Sequence, residues 1–485
     1  MIKKDIKIHY HILGIITLIY LVIFLKLDSF HMRWWDESMF AVNTYEMMHN
    51  GKFFSAYFDG RPDLWNTKPP LTSWCQIIFV KLFGYNELAL RLPSAIAAGL
   101  SVIFLFLFMV KTFDIIWAWL SILILLTSYG FINFHTARTA DSDSLLTFFL
   151  LIGNINFLNY FLVNNKRHIF IFFVFISLAF ATKLYAALLF SPAYLIILIH
   201  QKKLKKFIFN RAFLSGIILF LVSGIGLLYL REMDAPGYLK EVLFKDAGRI
   251  YKTVENHNEP PTFYFDLLFN LRFSTWSVLF IIGSLCAFLS KDKTEKNVLL
   301  NLFILVSVYL AIISFSVTKL QWYDMPVYPY LSVIAAYPIF LLFKTPSFEN
   351  RFTYFRSTIF LIAIIFAYPY YIMFNKSQGN TISNGERDNE SNERYIFRRS
   401  KENTNLDGIK VYYYGHKGSL LFYKYKLAEQ NQKIELCNTD TFTINDKVLV
   451  CNDSLIYMLN NKFKFSVIDT YGKAQLLRIN NRLNK

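Results

Sequence analysis

The chain has 485 residues, of which 54% are hydrophobic and 18% aromatic, with 50 Phe and 30 Tyr. The core of a water-soluble protein of this length needs far less apolar surface, so the composition excludes an ordinary soluble domain and predicts a polytopic α-helical membrane protein. The formal net charge of +17 could indicate nucleic-acid binding, but the basic residues form short clusters between apolar runs, where helix orientation accounts for them. We therefore expect membrane lipids around the chain and no nucleic acid as a partner.

Eleven apolar runs have the length of a membrane span, about 17–25 residues. They lie near residues 12–27, 88–110, 115–133, 143–163, 169–182, 184–200, 213–230, 263–289, 297–315, 326–343 and 357–374. We therefore predict a helical bundle of about 11–13 transmembrane helices. The first run follows Lys3, Lys4 and Lys7, but no small-residue cleavage site comes after it, so we expect an uncleaved helix.

The basic clusters predict which loops share a side of the membrane. If the N-terminus is cytoplasmic, alternation of the spans places Lys166-Arg167 and the 202–206 cluster on the same side, as the positive-inside rule requires. The loops that then face outward contain the acidic and mixed-charge segments. They are residues 28–87, 134–142, 231–262 and 316–325, together with everything after about 375. Lys183 interrupts an apolar stretch, so it either lines a cavity or marks an outward turn.

The end of the chain predicts a separate domain after the membrane part, residues 1–375. Residues 376–405 are polar and charged, a composition typical of a linker or mobile loop. Residues 406–485 alternate short β-rich runs with helix-compatible ones and predict a small extracytoplasmic α/β domain. The predicted strands are 409–414, 447–451, 465–468 and 474–479, and the predicted helices are 419–427 and 454–460.

Two of the four cysteines, Cys437 and Cys451, lie in this outward domain, where an oxidising compartment permits a disulfide between them. Cys75 and Cys286 lie in or beside apolar runs and are expected to be packed thiols.

A pair of carboxylates, Asp36 and Glu37, opens the first outward loop. They precede a helix-like stretch over residues 38–48, so both could act simply as caps that interact with the helix dipole. Charges near lipid are costly and tend to be functional. Trp34 and Trp35 can bury the surroundings of Asp36, which favours catalysis for Asp36, while capping and catalysis stay equally open for Glu37.

The next outward loop carries Asp141 and Asp143, separated by one residue, with Arg138 nearby. One aspartate alone could cap the helix that runs from Ser144. Two of them exceed that need, and such a pair can hold a divalent cation or orient an acceptor. Asp141 and Asp143 are therefore the candidate metal ligands, although metal dependence stays open and no cofactor is certain.

Several further short motifs occur in a fixed order along roughly residues 34–375. They are Asp36-Glu37 with Glu46-Met47 and Gly51; Lys68-Pro69-Pro70-Leu71 with Trp74; Leu82 to Glu87; Arg91 to Ser94; Arg138-Thr139 with Asp143 to Thr147; and Lys319 followed by Tyr323, Pro326 and Tyr328-Pro329. The ordered set resembles the C-type membrane glycosyltransferases of the aminoarabinose-transferase and protein O-mannosyltransferase type. One departure is Tyr45, where relatives often carry arginine.

The resemblance implies an enzyme that moves a sugar from a polyprenyl-phosphate donor to an extracytoplasmic acceptor, which could be lipid A, a glycan or a protein. It also implies a bacterial cytoplasmic (inner) membrane with the active site facing the periplasm. Nucleotide sugars are not expected as donors, because such a site faces away from cytoplasmic nucleotide pools.

The resemblance also assigns roles, which the chemistry supports because a departing phosphate must be neutralised and an acceptor must lose a proton. Asp36 is the candidate general base, whose pKa should rise at a low-dielectric cavity unless a neighbouring lysine holds it down. Asp143 would orient the acceptor or assist, with Asp141 as a weaker candidate. Since no separate nucleophile is evident, we expect a direct, inverting displacement. The candidate phosphate-binding cations are Lys68, Arg249, Lys319 and Lys183, with Lys68 first, although it could also be a lysine that snorkels at the membrane surface.

The loop 231–262 resembles the segment that closes over the substrates in this family, although it could be an ordinary solvated connection. His257 within it is expected to be structural. The competing class of function is a lipid-linked-sugar flippase or transporter, and a binding-only role for the tail is a third. The chain lacks evident repeat halves and acidic residues deep in its apolar runs, which counts against a transporter.

Overall fold

The computed structural model describes residues 8–133, 135–254, 257–344, 351–378 and 391–483. Long helices form the membrane part, and a five-stranded sheet with three helices forms the tail. The predicted fold class, a polytopic helical protein with a small α/β domain at its C-terminal end, is confirmed.

Within these ranges, seven helices are long and apolar enough to cross a membrane. They are Glu87–Thr112, Asp143–Val163, Arg167–Leu188, Arg211–Asp234, Lys293–Phe315, Gln321–Phe343 and Phe360–Ser377. Phe263–Arg272 and Ser277–Leu289 give an eighth if this pair, bent by 115°, is one span. The shorter apolar helices are Ile8–Phe24, Leu71–Phe83, Ile115–Leu126 and Ser191–His200.

Every predicted span falls on one of these helices, but two of them are shorter than expected. The run predicted over 115–133 ends as a helix at Leu126, because the hydroxyls of Thr127 and Ser128 donate to carbonyls of the preceding turn. The run predicted over 184–200 begins with a 3₁₀ turn, Leu184–Leu188, and becomes α-helical only at Ser191. Length and composition therefore give seven or eight spans in the described ranges, fewer than the 11–13 predicted.

The outward loop predicted over 28–87 is itself well ordered. It contains the helix Asp36–Asn50, a short hairpin of strands β1 (Tyr57–Phe58) and β2 (Arg61–Pro62), and the helix Leu71–Phe83. Arg138 connects the next outward loop to the end of the first helix, where its guanidinium donates to the carbonyls of Val22, Ile23, Leu25 and Lys26. A cation at a helix C-terminus also complements the helix dipole.

The tail contains the helix Asn392–Lys401 and a mixed sheet of five strands. The strands are β3 (Ile409–Tyr412), β4 (Glu435–Cys437), β5 (Lys447–Val450), β6 (Phe463–Tyr471) and β7 (Ala474–Arg482), in the order β4-β3-β5-β7-β6. Strand β3 is parallel to both of its neighbours, and β7 is antiparallel to both of its own. The helices Gly418–Glu429 and Asp453–Asn460 lie where the sequence predicted them.

The linker predicted over 376–405 is shorter than expected. The preceding helix, Arg351–Ser377, extends into it, and residues 379–390 lie outside the described residues. From Asn392 to Lys401 the chain is helical and buries Tyr395, Ile396 and Phe397 in the tail core. This segment therefore packs with the tail domain although its composition is polar.

No disulfide joins Cys437 and Cys451, a pairing that the sequence left open, since both side chains are thiols in the structure. Cys437 ends β4 and Cys451 follows β5, and strand β3 lies between these two strands. Two inter-strand spacings separate the Cα atoms by about 10 Å, whereas a disulfide needs less than about 7 Å. Cys75 and Cys286 are partly buried thiols on helices, as expected.

The tail is fastened onto the first outward loop by polar contacts. Lys426 pairs with the buried Glu87 at 2.6 Å, and the hydroxyl of Tyr425 donates to Glu46 at 2.8 Å. The backbone N–H of Met32 donates to the hydroxyl of Tyr423 at 3.0 Å. These contacts place the tail beside the loop that carries Asp36.

Candidate active site

A cavity of about 810 Å³ lies among the loops and the adjoining helix ends. The first outward loop, the loop before Asp143, the segment from Asp246 to His257 and the segment from Tyr309 to Tyr323 contribute to its lining, together with Ser391 of the tail. Its charged and titratable lining includes Asp36, Lys68, His135, Asp143, Lys183 and Arg249. Five of the eight residues predicted for the site therefore face one cavity.

Asp36 and Lys68 meet inside this cavity. Lys68 Nζ lies 3.4 Å from Asp36 Oδ2, with 17% and 25% of the respective side chains exposed. Asp36 is the first residue of the helix Asp36–Asn50. The loop of Lys68 is held in place because Arg231 donates to the carbonyls of Asn66 and Lys68.

The ion pair decides the charge of Asp36. Burial alone would raise the pKa of this carboxyl, but the nearby charges of Lys68, His135 and Lys183 outweigh it and lower the pKa to about 2. The sequence left open whether burial raises the pKa of Asp36 or a neighbouring lysine lowers it, and in the structure the lysine lowers it. Asp36 is therefore a carboxylate at neutral pH.

A second ion pair joins Asp143 and Lys183, whose Oδ1 and Nζ atoms lie 2.7 Å apart. Asp143 begins the helix Asp143–Val163, and Lys183 ends the α-helix Arg167–Lys183. Lys183 Nζ also lies 4.9 Å from the centre of the Tyr323 ring. Lys183 thus lines the cavity, which is the first of the two placements that the sequence left open.

Asp141 does not pair with a lysine but with His135, whose Nδ1 lies 3.1 Å from Oδ2. The imidazole stacks on the Trp322 ring, with centroids 3.8 Å apart. Burial would lower the pKa of His135, but the carboxylates of Asp141 and then Asp36 more than offset it, so that the pKa is raised. His135 was missed by the sequence analysis, although a histidine six residues before Asp141 was the available signal.

One group in the described residues could hold a metal ion. Ligand atoms of Asp36, His135 and Asp141 lie within 4.8 Å of one another, and Asp141 Oδ1 is buried without a hydrogen-bond partner in this part of the chain. Carboxylate and imidazole ligands suit several divalent cations. Asp143, the other ligand predicted from sequence, is outside this group because its Oδ1 accepts from Lys183.

Glu37 points away from the cavity and holds the loop together. Its carboxylate accepts from Arg91 Nε at 2.7 Å and Nη2 at 3.1 Å, and from the backbone N–H groups of Arg33 and Ala140. Burial would raise its pKa, but Arg91 lowers it to about 2. Glu37 is thus placed in a structural ion pair rather than among the groups that could meet a substrate.

The two remaining predicted cations differ in placement. Arg249 lines the cavity and donates from Nη1 to the hydroxyl of Tyr323 at 2.8 Å. Lys319 is 4% exposed, and its Nζ donates to the carbonyls of Glu259 and Ser316, each at 2.7 Å. Lys319 therefore fastens the loop 231–262, whereas Arg249 lines the cavity itself.

The same loop is bonded to its surroundings at several points. Thr67 Oγ1 donates to Asp246 Oδ2 at 2.8 Å, the N–H of Thr318 donates to the carbonyl of Arg249, and the N–H of Lys319 donates to the carbonyl of His257. The loop lies along the cavity in this arrangement, and its closure over a substrate stays a prediction.

Residues 67–225 match the sequence model of a family described as dolichyl-phosphate-mannose-protein mannosyltransferase. An uncharacterized protein of Aquifex aeolicus is 26% identical over 302 residues, which cover 62% of this chain and 58% of the relative. An undecaprenyl phosphate-alpha-4-amino-4-deoxy-L-arabinose arabinosyl transferase of Pseudomonas savastanoi is 34% identical over 89 residues, which cover 18% of this chain and 16% of that protein. The chain thus spans less than two thirds of the length of these relatives.

The solved structure of ArnT from Cupriavidus metallidurans bound to undecaprenyl phosphate aligns with nearly the whole chain. The TM-score is 0.69 at 14% identity, and the match covers 97% of this chain and 98% of that one. At this identity the likeness concerns the fold. It includes both the membrane helices and the tail, since so little of either chain is left unmatched.

Proposed function

We propose that this chain, which has the fold of the C-type membrane glycosyltransferases, transfers a sugar from a polyprenyl-phosphate donor to an extracytoplasmic acceptor. The observation that carries the proposal is the pair of Asp36 and Lys68 inside one cavity, 3.4 Å apart. A carboxylate and an ammonium at this distance supply the two charges that the reaction needs, one for the acceptor proton and one for the departing phosphate. The resemblance to sequences and folds of named glycosyltransferases supports the same reaction class.

The proposed reaction is a single displacement. The acceptor oxygen or nitrogen attacks the anomeric carbon, the bond from that carbon to the phosphate oxygen breaks, and the polyprenyl phosphate leaves with the electron pair. Asp36 accepts the proton that the acceptor loses. Attack from the face opposite the phosphate inverts the anomeric centre.

The cations of the cavity stabilise the departing phosphate. Lys68 is the first of them, and Lys183 and Arg249 line the same cavity. Preorganised positive charge in a site that largely excludes water stabilises a developing dianion strongly. Lys319 is not part of this set, because it does not line the cavity and its Nζ donates to the backbone carbonyls of Glu259 and Ser316.

Binding of the donor also activates the base. Lys68 holds the pKa of Asp36 at about 2, which makes this carboxylate a weak base. A phosphate that pairs with Lys68 adds negative charge beside Asp36 and shares the lysine's positive charge. Both effects raise the pKa of Asp36, so the base gains strength only when the donor is present.

Asp143 is assigned to the acceptor. It lines the cavity at the start of the helix Asp143–Val163, and its Oδ1 lies 2.7 Å from Lys183 Nζ. A carboxylate there can accept a hydrogen bond from a hydroxyl or amine of the acceptor. If a divalent cation takes part, Asp36, His135 and Asp141 would hold it, and it would add positive charge for the phosphate.

The proposal places the cavity at the periplasmic face of a bacterial inner membrane. Lys240 lies exposed on the loop 231–262, which the positive-inside rule assigns to that face. A cysteine introduced there should react with a membrane-impermeant thiol reagent in intact spheroplasts. Protection until the membrane is lysed would reverse the assigned orientation.

The experiment that tests the reaction uses the purified chain in detergent or nanodiscs. Transfer of labelled sugar is measured from a panel of synthetic polyprenyl-phosphate donors to lipid A, glycan and peptide acceptors. We expect transfer to one acceptor class, its loss in Asp36→Asn and Lys68→Ala, and its retention in Lys240→Ala, which changes an exposed lysine outside the cavity lining. Saturable donor binding without transfer, together with movement of donor across liposome membranes, would instead identify a flippase.

A further inference from the structure

The residue before Asp36 has an unusual backbone. Trp35 has φ +61° and ψ −117°, a conformation that L residues with bulky side chains rarely adopt. Such a conformation is strained and persists only where the surroundings enforce it. Because the carbonyl of Trp35 accepts the first hydrogen bond of the helix, from Met39 N at 2.8 Å, this backbone fixes how the helix that carries Asp36 begins.

The tail domain supplies the contact that constrains Trp35. The indole stacks on the imidazole of His416, with centroids 4.6 Å apart and the planes inclined by 26°. His416 lies between β3 and the helix Gly418–Glu429, and its Nδ1 accepts from Gly418 N at 3.3 Å. The ring of Phe58 lies 6.1 Å from the imidazole.

The tail backbone also approaches this point closely. A side chain at Gly418 would place its Cβ 2.6 Å from Ser38 Oγ, so only glycine fits without a shift. The same Ser38 hydroxyl donates to the carbonyl of Trp35 at 3.0 Å. The tail therefore contacts the strained turn from two directions, through the His416 ring and through the backbone next to Ser38.

We infer that His416 is a positioning residue: its stack on Trp35 holds the strained turn ahead of Asp36 and keeps that carboxylate beside Lys68. The tail domain is then part of the catalytic machinery and not only an appended module. This inference rests on the proposed function, because it assigns to Asp36 the role given there.

The contacts that seat the tail do not depend on this stack. Lys426 with Glu87 and Tyr425 with Glu46 join the tail to the loop without touching Trp35 or Asp36. Lys417 with Asp59 forms a further ion pair directly beside His416. Removal of the His416 ring should therefore leave the tail docked while the turn at Trp35 relaxes.

The test compares His416→Ala, His416→Phe and Lys417→Ala in the full chain. We expect His416→Ala to lower kcat by about 10- to 100-fold, since small displacements of a catalytic group have effects of this size. Binding of undecaprenyl phosphate and the unfolding temperature should stay at wild-type values. His416→Phe should restore kcat to within about threefold, because a planar ring can stack on the indole. Lys417→Ala, which removes a tail contact but not the stack, should match the wild type.

A second variant tests the strained turn itself. Trp35→Gly permits φ +61° without strain but presents no ring, so His416→Ala should have little further effect in that background. Wild-type kcat in His416→Ala, or equal loss in His416→Ala and His416→Phe, would overturn the inference while leaving the proposed function intact. A wild-type chain that transfers no sugar from any donor would overturn both.

Discussion

Lys68 Nζ and Asp36 Oδ2 lie 3.4 Å apart in a cavity where neither side chain is more than a quarter exposed. Each charge stabilises the other, and a phosphate entering the cavity competes for the lysine. A substrate phosphate can therefore replace Asp36 as the partner of Lys68. This competition gives opposite expectations for the two residues, since loss of Lys68 weakens phosphate binding and loss of the Asp36 charge does not.

Asp36→Asn tests the base. The amide has nearly the same shape as the carboxylate but cannot accept the acceptor proton, so transfer should fall by about 10²- to 10⁴-fold. Binding of undecaprenyl phosphate should be retained or become tighter, because Lys68 loses its internal competitor. Calorimetry with that lipid and a labelled-sugar assay measure the two effects. Transfer within a few-fold of wild type would remove Asp36 from the role of base.

Lys68→Ala should weaken binding of undecaprenyl phosphate and lower transfer by about 10²- to 10³-fold, because one positive charge that stabilises the phosphate is lost. Lys68→Arg keeps the charge but changes the geometry, so it should recover part of the activity. Lys319→Ala is the matched control, since that lysine does not line the cavity and its Nζ donates to two backbone carbonyls. An equal loss of phosphate binding in Lys319→Ala would contradict the assignment of the clamp.

The pH dependence follows from the lowered pKa of Asp36, about 2. A base must be ionised to act, so kcat/KM falls as the pH drops below the pKa of the free enzyme's carboxyl. In the wild type Asp36 should therefore set no acidic limb above about pH 4. In Lys68→Ala the largest charge that lowers this pKa is lost, so the pKa of Asp36 should rise and the acidic limb should move toward neutral pH. An unchanged profile in the residual activity of Lys68→Ala would show that Lys68 does not control the charge of Asp36.

The order of motifs was enough to predict the charged lining of the cavity, because Asp36, Lys68 and Asp143 each lie at the start of a helix or in a short, rigid turn. The partners of these residues could not be predicted in the same way. Glu37 and Arg91 are 54 residues apart, and only the packing of two helices shows that they pair. Glu37 is next to Asp36 in the sequence, yet it pairs with Arg91 and does not line the cavity.

Three further features also depend on packing that the sequence does not show. Lys319 lies one residue from the cavity-lining Leu320, yet its own side chain turns toward carbonyls of the loop 231–262. Whether Cys437 and Cys451 can pair depends on strand order, which the sequence does not fix. The stack of His416 on Trp35 joins two segments almost 400 residues apart, so no local pattern could indicate it.

Glu37→Gln should destabilise the chain by about 3–5 kcal/mol, because it leaves the buried Arg91 without its counter-charge. The double change Glu37→Gln with Arg91→Met removes both charges and should cost less than Glu37→Gln alone. The pKa of Glu37 is lowered from 4.5 to about 2, so its contribution is complete above about pH 4.5 and is lost as the pH falls toward 2. Thermal unfolding in detergent measures all three effects. A Glu37→Gln chain as stable as the wild type would contradict the structural role given to the pair.

Gly283→Ala should disturb the site from a distance. The helix Ser277–Leu289 packs so closely on the helix Tyr328–Phe343 that a Cβ at Gly283 would overlap the carbonyl oxygen of Ile334, which belongs to backbone and cannot rotate away. Gly226→Ala is the matched control, since nothing lies within 4 Å of its added Cβ, and alanine there should be neutral or stabilising by up to about 1 kcal/mol.

The segment Gln321–Val327, which carries Tyr323 into the cavity, runs directly into the helix that Gly283→Ala would displace. Gly283→Ala should therefore lower both the unfolding temperature and the affinity for undecaprenyl phosphate, whereas Gly226→Ala should change neither for the worse. Equal behaviour of the two variants in both measurements would mean that the contact between these helices does not position the cavity wall.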